Sequence, residues 1–319
     1  MKIVFMETDT LGPDVELSAF DQLGEVVKYP CSVVDENSDR VKDADIIIVN
    51  KIPMNEATLS KAEKLKLICI TGTGTNIVDF SYINGRGITV TNVKGYSTQS
   101  VVQHTFALFF FLYEKMSYYD QFVKSGEYIR SDIFSHFEMK FHELAGKTWG
   151  IIGLGEIGRG VAEVARLFGC DILYYSTSGK NNNPNYRQVN LDTLLKEADV
   201  VSIHAPLNEA TRDLIGEEEL RKMKKNAILL NLGRGPIINE QALYKALKED
   251  WIGGAGLDVL TVEPMSADNP LIHIKDSTKL VITPHIAWAT LEARQRVTEE
   301  VYKNIVAFYH NEERNVVRE

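Results

Sequence analysis

Three segments in the second half of the chain each place one ionisable side chain just past an apolar run. "NLGRGPIIN" holds Arg234 between two glycines, "LDVLTVEP" carries Glu263, and "VITPHIAWAT" carries His285 behind Pro284, which fixes the local backbone. An arginine fork can hold a carboxylate through two parallel hydrogen bonds and polarise a neighbouring carbonyl. A histidine can give a proton to that carbonyl oxygen as hydride reaches the carbon, and take it back in reverse. A carboxylate beside the histidine orients the ring and favours its charged form. Singly, each residue reads equally well as a salt bridge or a capped strand end. As an ordered set they are the parts needed to interconvert a carbonyl and an alcohol on a small acid.

Such chemistry needs a hydride carrier, and an upstream loop supplies a place for one. "GIIGLGEIGRG" puts Gly153, Gly155 and Gly158 in GxGxxG spacing, after the apolar "KTWGII" and before the helical "RGVAEVARLF". The first glycine permits a tight turn, the second lets backbone approach a pyrophosphate, and the third allows close helix–strand packing. The helix N-terminus attracts the phosphate charge. Glu156 and Ile157 belong to the same loop and are cofactor-binding candidates with it. The alternative is a tight turn of purely structural use.

The next apolar run, "CDILYY", ends at Tyr175, where an acid would receive the ribose 2′-hydroxyl of NAD and repel a 2′-phosphate. This chain offers Ser176, Thr177, Ser178, Gly179 and Lys180 instead. Without the repulsion, three hydroxyls and a lysine can contact a phosphate directly. NADP(H) is therefore favoured over NAD(H). The lack of an arginine at the strand end keeps NAD(H) open.

The elements that must position these residues follow from the alternation of short apolar runs with amphipathic stretches, which predicts parallel sheets and covering helices. Strands are expected at 2–6, 25–30, 45–50, 65–71 and 87–92, with a helix over 55–65 capped by Asn55. A second alternation expects strands at 147–153, 170–175, 199–205, 227–233, 254–259 and 279–285. A last helix, from about Leu291 to His310, follows once that alternation is complete, so it is expected to return to the first domain. The domains are then 1–97 with 290–319, binding substrate, and 98–289, binding the dinucleotide, with the ligand cleft between them. A further helix, "SVVQHTFALFFFLYEKM" from near Ser97, is apolar around most of its circumference. It is expected to be buried between domains or against a second subunit, which points to a homodimer.

The totals exclude several function classes. A length of 319 residues suits two domains. A formal charge of -9, with no long block of like charge, argues against a nucleic-acid partner. Cys31, Cys69 and Cys170 stand far apart without CxxC, which reads as reduced, buried small hydrophobes in a cytoplasmic protein. "FALFFFLY" (106–113) is too short to span a bilayer and "MKIVFMETDT" reads as a first strand, so a soluble protein without membrane partners is expected. No pair of the seven histidines has metal-ligand spacing, and no metal is expected.

Taken together, "GIIGLGEIG", "ADVVSIHAPLNEATRDLI", "LLNLGRGPIINEQAL", "GAGLDVLTVEP" and "ITPHIAWAT" resemble the D-isomer-specific 2-hydroxyacid dehydrogenase family over essentially the whole chain. The resemblance implies an α/β fold of two doubly wound parallel-sheet domains, a Rossmann-type dinucleotide-binding domain and a flavodoxin-like substrate domain formed by both chain ends. It implies that Arg234, Glu263 and His285 are the catalytic set and that Asp258 of "GLDV" binds the nicotinamide carboxamide. It places His204, Ala205, Pro206 and Thr211 of "HAPLNEAT" about the adenosine, and Thr105 near the cofactor phosphates. Leu232 and Gly233 flank the cofactor ahead of Arg234, which also binds substrate together with His285. "TGTGTNIVDF" (71–80) resembles the family's carboxylate-binding loop. There the N–H groups around Thr73, Gly74 and Thr75 can form an anion-binding concavity, the alternative being a turn capped by Thr75 or Asn76. Lys51, after another strand end, is a further substrate-binding candidate, with a solvated lysine as the alternative.

Two departures stand out: the missing ribose acid, and Gln103 where many relatives carry Glu. "NK" at 50–51 and "QHT" at 103–105 look most like the glycerate dehydrogenase (hydroxypyruvate reductase) branch. The expected substrate pair is hydroxypyruvate and D-glycerate, with glyoxylate or another 2-oxo acid as runner-up. Phosphoglycerate dehydrogenase is a rival that would want more basic residues than Lys51. A dinucleotide-sensing binding protein, as among the family's transcriptional corepressors, is the rival from another class.

Overall fold

The computed structural model describes residues 1–180 and 182–318, which leaves Asn181 of the polar segment 178–186 outside. The chain divides into two units, Met1–Ser97 with the chain from Ala289 onward, and Thr98–Trp288. Both are built on parallel sheets, as the alternating apolar runs predict.

In the first unit, β1 (Lys2–Phe5), β2 (Glu25–Lys28), β3 (Ile46–Val49), β4 (Leu67–Ile70) and β5 (Thr89–Thr91) form one sheet in the order β2-β1-β3-β4-β5. "IIIV" and "LICI" are buried at every position, which is why these runs are continuous rather than alternating. Between the strands lie α1 (Asn37–Arg40), α2 (Glu56–Leu59) and α3 (Phe80–Asn84). Asn55 caps α2 by accepting from Thr58 N–H at 3.3 Å, but the helix stops at Leu59 rather than running to 65. The Arg86 guanidinium donates to the Leu59 and Ala62 carbonyls at 2.8 Å each, taking acceptors that a continuing helix would use.

In the second unit, α4 (Thr98–Tyr113) and α5 (Met116–Lys124) precede β6 (Thr148–Ile152), α6 (Glu156–Leu167), β7 (Asp171–Tyr175) and β8 (Arg187–Gln188). Then come α7 (Leu191–Glu197), β9 (Val200–Ile203), α8 (Glu217–Lys222), β10 (Ile228–Asn231), α9 (Glu240–Lys248), β11 (Gly254–Leu257) and β12 (Leu280–Ile282). The sheet order is β12-β11-β10-β9-β6-β7-β8, and every pair is parallel. The order reverses between β6 and β9, and such switch points open the crevice where α/β sheets bind ligands. β8 has no apolar residue and no counterpart in the hydropathy pattern; it exists by pairing with Leu173 and Tyr174 of β7. Finally α10 (Leu291–Tyr309), capped by Thr290, returns to the first unit and packs on β4.

Two expectations are corrected. The apolar circumference of α4 is buried within its own unit, against α6, β10, β11 and β12, so its composition needs no other domain or subunit. Cys31 is exposed, because it follows β2 on a turn instead of sitting in a strand. Cys69 and Cys170 are buried, and desolvation pushes their thiols up to about 12 and about 11.

Candidate functional site

Arg234, Glu263 and His285 follow β10, β11 and β12, three adjacent strands of one sheet. Asn231, the last residue of β10, clamps the arginine loop. Its Oδ1 accepts from Gly233 N–H at 3.1 Å and its Nδ2 donates to the Arg234 carbonyl at 3.0 Å. Gly235 is needed next, since a Cβ there would lie 1.9 Å from the Leu260 carbonyl carbon. That close approach brings the arginine loop against the loop that carries Glu263. The Arg234 guanidinium makes one bond among the described residues, Nη1 to the Gly233 carbonyl at 2.8 Å, so most of its fork is available.

Glu263 Oε1 accepts from Leu260 N–H at 2.9 Å, and Oε2 stands 2.6 Å from His285 Nδ1. A carboxylate accepts, so Nδ1 carries the proton and Nε2 is the nitrogen left for proton exchange. His285 itself has φ +55°, the left-handed region that few non-glycine residues adopt. The Asp258 carbonyl accepts its N–H at 2.8 Å. Asp258 turns both side-chain oxygens to protein donors: Thr283 Oγ1 at 2.6 Å, and Ile286 N–H and Ala287 N–H at 2.9 Å each. Its carboxylate thus holds the histidine segment, which the sequence motif did not reveal.

At the switch point, Gly153 has φ +92°, and a Cβ there would meet Ala205 backbone at 2.8 Å. A Cβ on Gly158 would lie 2.3 Å from the Gly153 carbonyl, while one on Gly155 would meet nothing within 4 Å. The helix α6 has no side-chain cap, and the N–H groups of Gly155, Glu156 and Ile157 have no acceptor among the described residues. This open row of donors at a helix N-terminus fits a pyrophosphate. The Glu156 carboxylate accepts from Thr98 Oγ1 at 2.8 Å.

Ser176 directly follows β7 and is buried, and its Oγ has no partner. Thr177 is half-buried, and Ser178 and Lys180 are exposed. His204, after β9, keeps some residue surface exposed, yet both ring nitrogens are shut off from solvent and without partners. Burial pushes its pKa down to about 3, so the ring is neutral. Buried orphan groups at the ends of β7 and β9, the strands on either side of β6 and its glycine loop, fit a polar cofactor that supplies their partners.

Two residues expected near the cofactor have hydroxyls bonded within the protein. Thr105 is fully buried and its hydroxyl donates to the Val101 carbonyl at 2.7 Å, within α4. Thr211 is also fully buried; its hydroxyl accepts from Asn208 N–H at 2.8 Å and donates to the Pro206 carbonyl at 2.8 Å, bracing that loop. Pro206 is exposed, and Ala205, Leu232 and Gly233 are buried, with Gly233 able to carry no Cβ against the Ala205 carbonyl at 2.8 Å.

In the first unit the loop after β4 is held by Thr73 Oγ1 donating to the Val93 carbonyl and Asn92 Nδ2 donating to the Thr73 carbonyl, both at 2.7 Å. The N–H groups of Thr73, Gly74 and Thr75 have no acceptor among the described residues. Neither Thr75 nor Asn76 caps a helix. The cap of α3 is Asp79, accepting from Tyr82 N–H at 3.1 Å. The loop with Lys51 is held by a residue that sequence reasoning missed. Glu7 Oε2 accepts from the N–H groups of Asn50, Lys51 and Ile52 at 3.0, 2.8 and 3.3 Å. A lone glutamate after the first strand gives no signal of that role.

Residues 106–287 match the NAD binding domain of D-isomer specific 2-hydroxyacid dehydrogenases. The chain is 36% identical over 317 residues to glycerate dehydrogenase of Methylorubrum extorquens, covering 99% of this chain and 98% of that protein. Among solved structures, an acyclic imino acid reductase (Bsp5) in complex with NADPH and D-Arg superposes with TM-score 0.86 at 31% identity, covering 100% of both chains. D-Lactate dehydrogenase from Aquifex aeolicus, complexed with NAD and lactic acid, gives 0.84 at 29% identity, covering 97% and 96%. Sheet order, glycine loop and matched domain agree, and the chain belongs to the D-isomer-specific 2-hydroxyacid dehydrogenases, oxidoreductases that work with a nicotinamide cofactor.

Proposed function

We propose that the chain reduces hydroxypyruvate to D-glycerate, reversibly, with Arg234, Glu263 and His285 as its catalytic residues and NADPH as its favoured reductant. The observation that carries the acid–base assignment is the 2.6 Å pair of His285 Nδ1 and Glu263 Oε2. When bound, the cofactor supplies the hydride that adds to C2 of the 2-oxo acid. His285 Nε2 gives its proton to the carbonyl oxygen as the C=O bond becomes C–O–H, and takes it back in the oxidative direction. Glu263 holds the ring in the tautomer this requires. The Arg234 fork binds the substrate carboxylate and polarises the adjoining carbonyl. The N–H row of Thr73, Gly74 and Thr75 offers a carboxylate oxygen three donors, and Lys51 is assigned a supporting role there. Asp258 shapes the nicotinamide end of the cofactor site through the segment it holds.

The substrate assignment is supported by the "NK" and "QHT" stretches and by the similarity to a glycerate dehydrogenase. The cofactor assignment rests on Ser176 to Lys180, where no acid opposes a 2′-phosphate and a buried hydroxyl lacks a partner. The test compares kcat/KM for NADPH and NADH with hydroxypyruvate, in the native protein and in Ser176→Asp. NADPH should lead in the native protein and NADH in the variant. An NADH preference in the native protein overturns the cofactor assignment, and absence of turnover with either overturns the substrate.

The protein is further proposed to act as a homodimer in the cytoplasm. Ile129, Phe134 and Phe137 are 87%, 91% and 77% exposed, beside the exposed Met116 and Val123 of α5, and a second copy would cover them.

A further inference from the structure

His104 stands on α4, within the "QHT" stretch at 103–105 but apart from the residues assigned to proton transfer and substrate binding. Its Nε2 lies 2.9 Å from Thr283 Oγ1, and Thr283 Oγ1 lies 2.6 Å from Asp258 Oδ1. The hydroxyl has one proton, and it goes to the carboxylate. Its oxygen therefore accepts from His104, which makes Nε2 the protonated nitrogen of that ring. Beyond the carboxylate, the chain continues into the Ile286 and Ala287 N–H groups, and the Asp258 carbonyl takes the His285 N–H. The segment from Thr283 to Ala287 is thus fastened on both sides of His285 to one residue that is 2% exposed.

His285 holds a left-handed backbone, φ +55°, and conformations of this kind persist only where surrounding bonds over-determine them. In a buried setting each bond strengthens its neighbours, and an incompletely satisfied carboxylate there is costly. We propose that His104 and Thr283 are positioning residues for the reaction: they complete the donor set of Asp258 and thereby fix the aim of His285 Nε2. The inference rests on His285 as the proton donor, and its test separates the two.

Thr283→Val keeps the side-chain shape and deletes the hydroxyl, whereas Thr283→Ser keeps the hydroxyl. His104→Gln keeps an N–H donor and His104→Leu does not. Steady-state kinetics are run with whichever 2-oxo acid is turned over fastest, with thermal melts and cofactor titration on each variant. Thr283→Val should lower kcat about tenfold or more, since a misplacement near 1 Å can cost up to about 100-fold. The cofactor KM should stay within about twofold, and the serine variant should recover most of the loss. His104→Leu should fall below His104→Gln in the same way, and that pair decides the matter if Thr283→Val does not fold. Wild-type kcat in Thr283→Val, equal losses in Val and Ser, or a loss confined to cofactor KM would each overturn the proposal. His285→Ala, assayed beside them, tests the premise: if it alone retains full turnover, the proton-donor reading fails.

Discussion

A proton shuttle needs one ring nitrogen held and the other open, and the Glu263–His285 pair meets that need with both glutamate oxygens acting as acceptors. Removing the ring in His285→Ala should lower kcat by about 10²- to 10⁴-fold, the range that general acid–base catalysis contributes. Glu263→Gln is the more informative change, because glutamine has a single acceptor. If its oxygen serves His285 Nδ1–H, its amide N–H meets the Leu260 N–H, and the reverse orientation frustrates the histidine. We expect a clear kcat loss, smaller than that of His285→Ala, with cofactor KM little changed. Wild-type kcat in Glu263→Gln would show that the pair does not set the histidine's orientation. His204 makes a separate prediction about pH. Its folded pKa is lowered to about 3, below the ordinary histidine value of 6.5, so the unfolded chain takes up a proton there that the folded chain refuses. Its neutral form costs nothing above about pH 6.5, and stability is lost as pH falls from there toward 3, by at most about 1.4 kcal/mol per pH unit. Chemical denaturation of the native protein and of His204→Asn across pH 4 to 7 should give a shallower decline in the variant. Equal slopes would count against a buried neutral ring.

Among elements, the glycine loop separates fold from function. Gly153 and Gly158 are required by the fold, one by a φ of +92° and the other by the Gly153 carbonyl oxygen, 2.3 Å from where its Cβ would stand. Gly155 faces open space. Gly158→Ala should therefore destabilise by about 1–3 kcal/mol through overpacking. Gly155→Ala should melt near the native temperature yet bind cofactor markedly less tightly, as read by melting temperature and by cofactor titration. A Gly155→Ala protein with unchanged affinity would argue that the pyrophosphate lies elsewhere. The strands and this loop were legible because a buried parallel strand must be an unbroken apolar run and a phosphate loop must carry glycine at fixed positions. The short α2, the edge strand β8 and the role of Asp258 were not, because each is decided by a distant partner: Arg86 carbonyl capping, the pairing with β7, and the backbone of 286–287. The motif therefore marks candidate residues, but not what holds them.

For the whole molecule, the apolar residues that the sequence offered as an interface have been consumed internally. α4 covers its own sheet, with Phe106 and Phe109 against Trp149, and leaves little for a partner. The surface that remains unexplained lies on α5 and the stretch after it. Phe122 stacks on His136 with ring centroids 3.7 Å apart, and Tyr118 bonds the same histidine at 2.7 Å, so this stretch is ordered on α5 rather than loose. Yet it holds Phe134 and Phe137 outward. An isolated soluble chain has no use for such a patch, whereas an interface needs large apolar anchors at its centre. Light scattering after size exclusion should give about twice the chain mass of 35.9 kDa at micromolar concentration. The double variant Phe134→Glu with Phe137→Glu places two charges where anchors would be, and should elute as a monomer with its melting profile otherwise intact. A native protein that is monomeric at these concentrations would refute the dimer. A variant that stays dimeric would move the interface away from this patch.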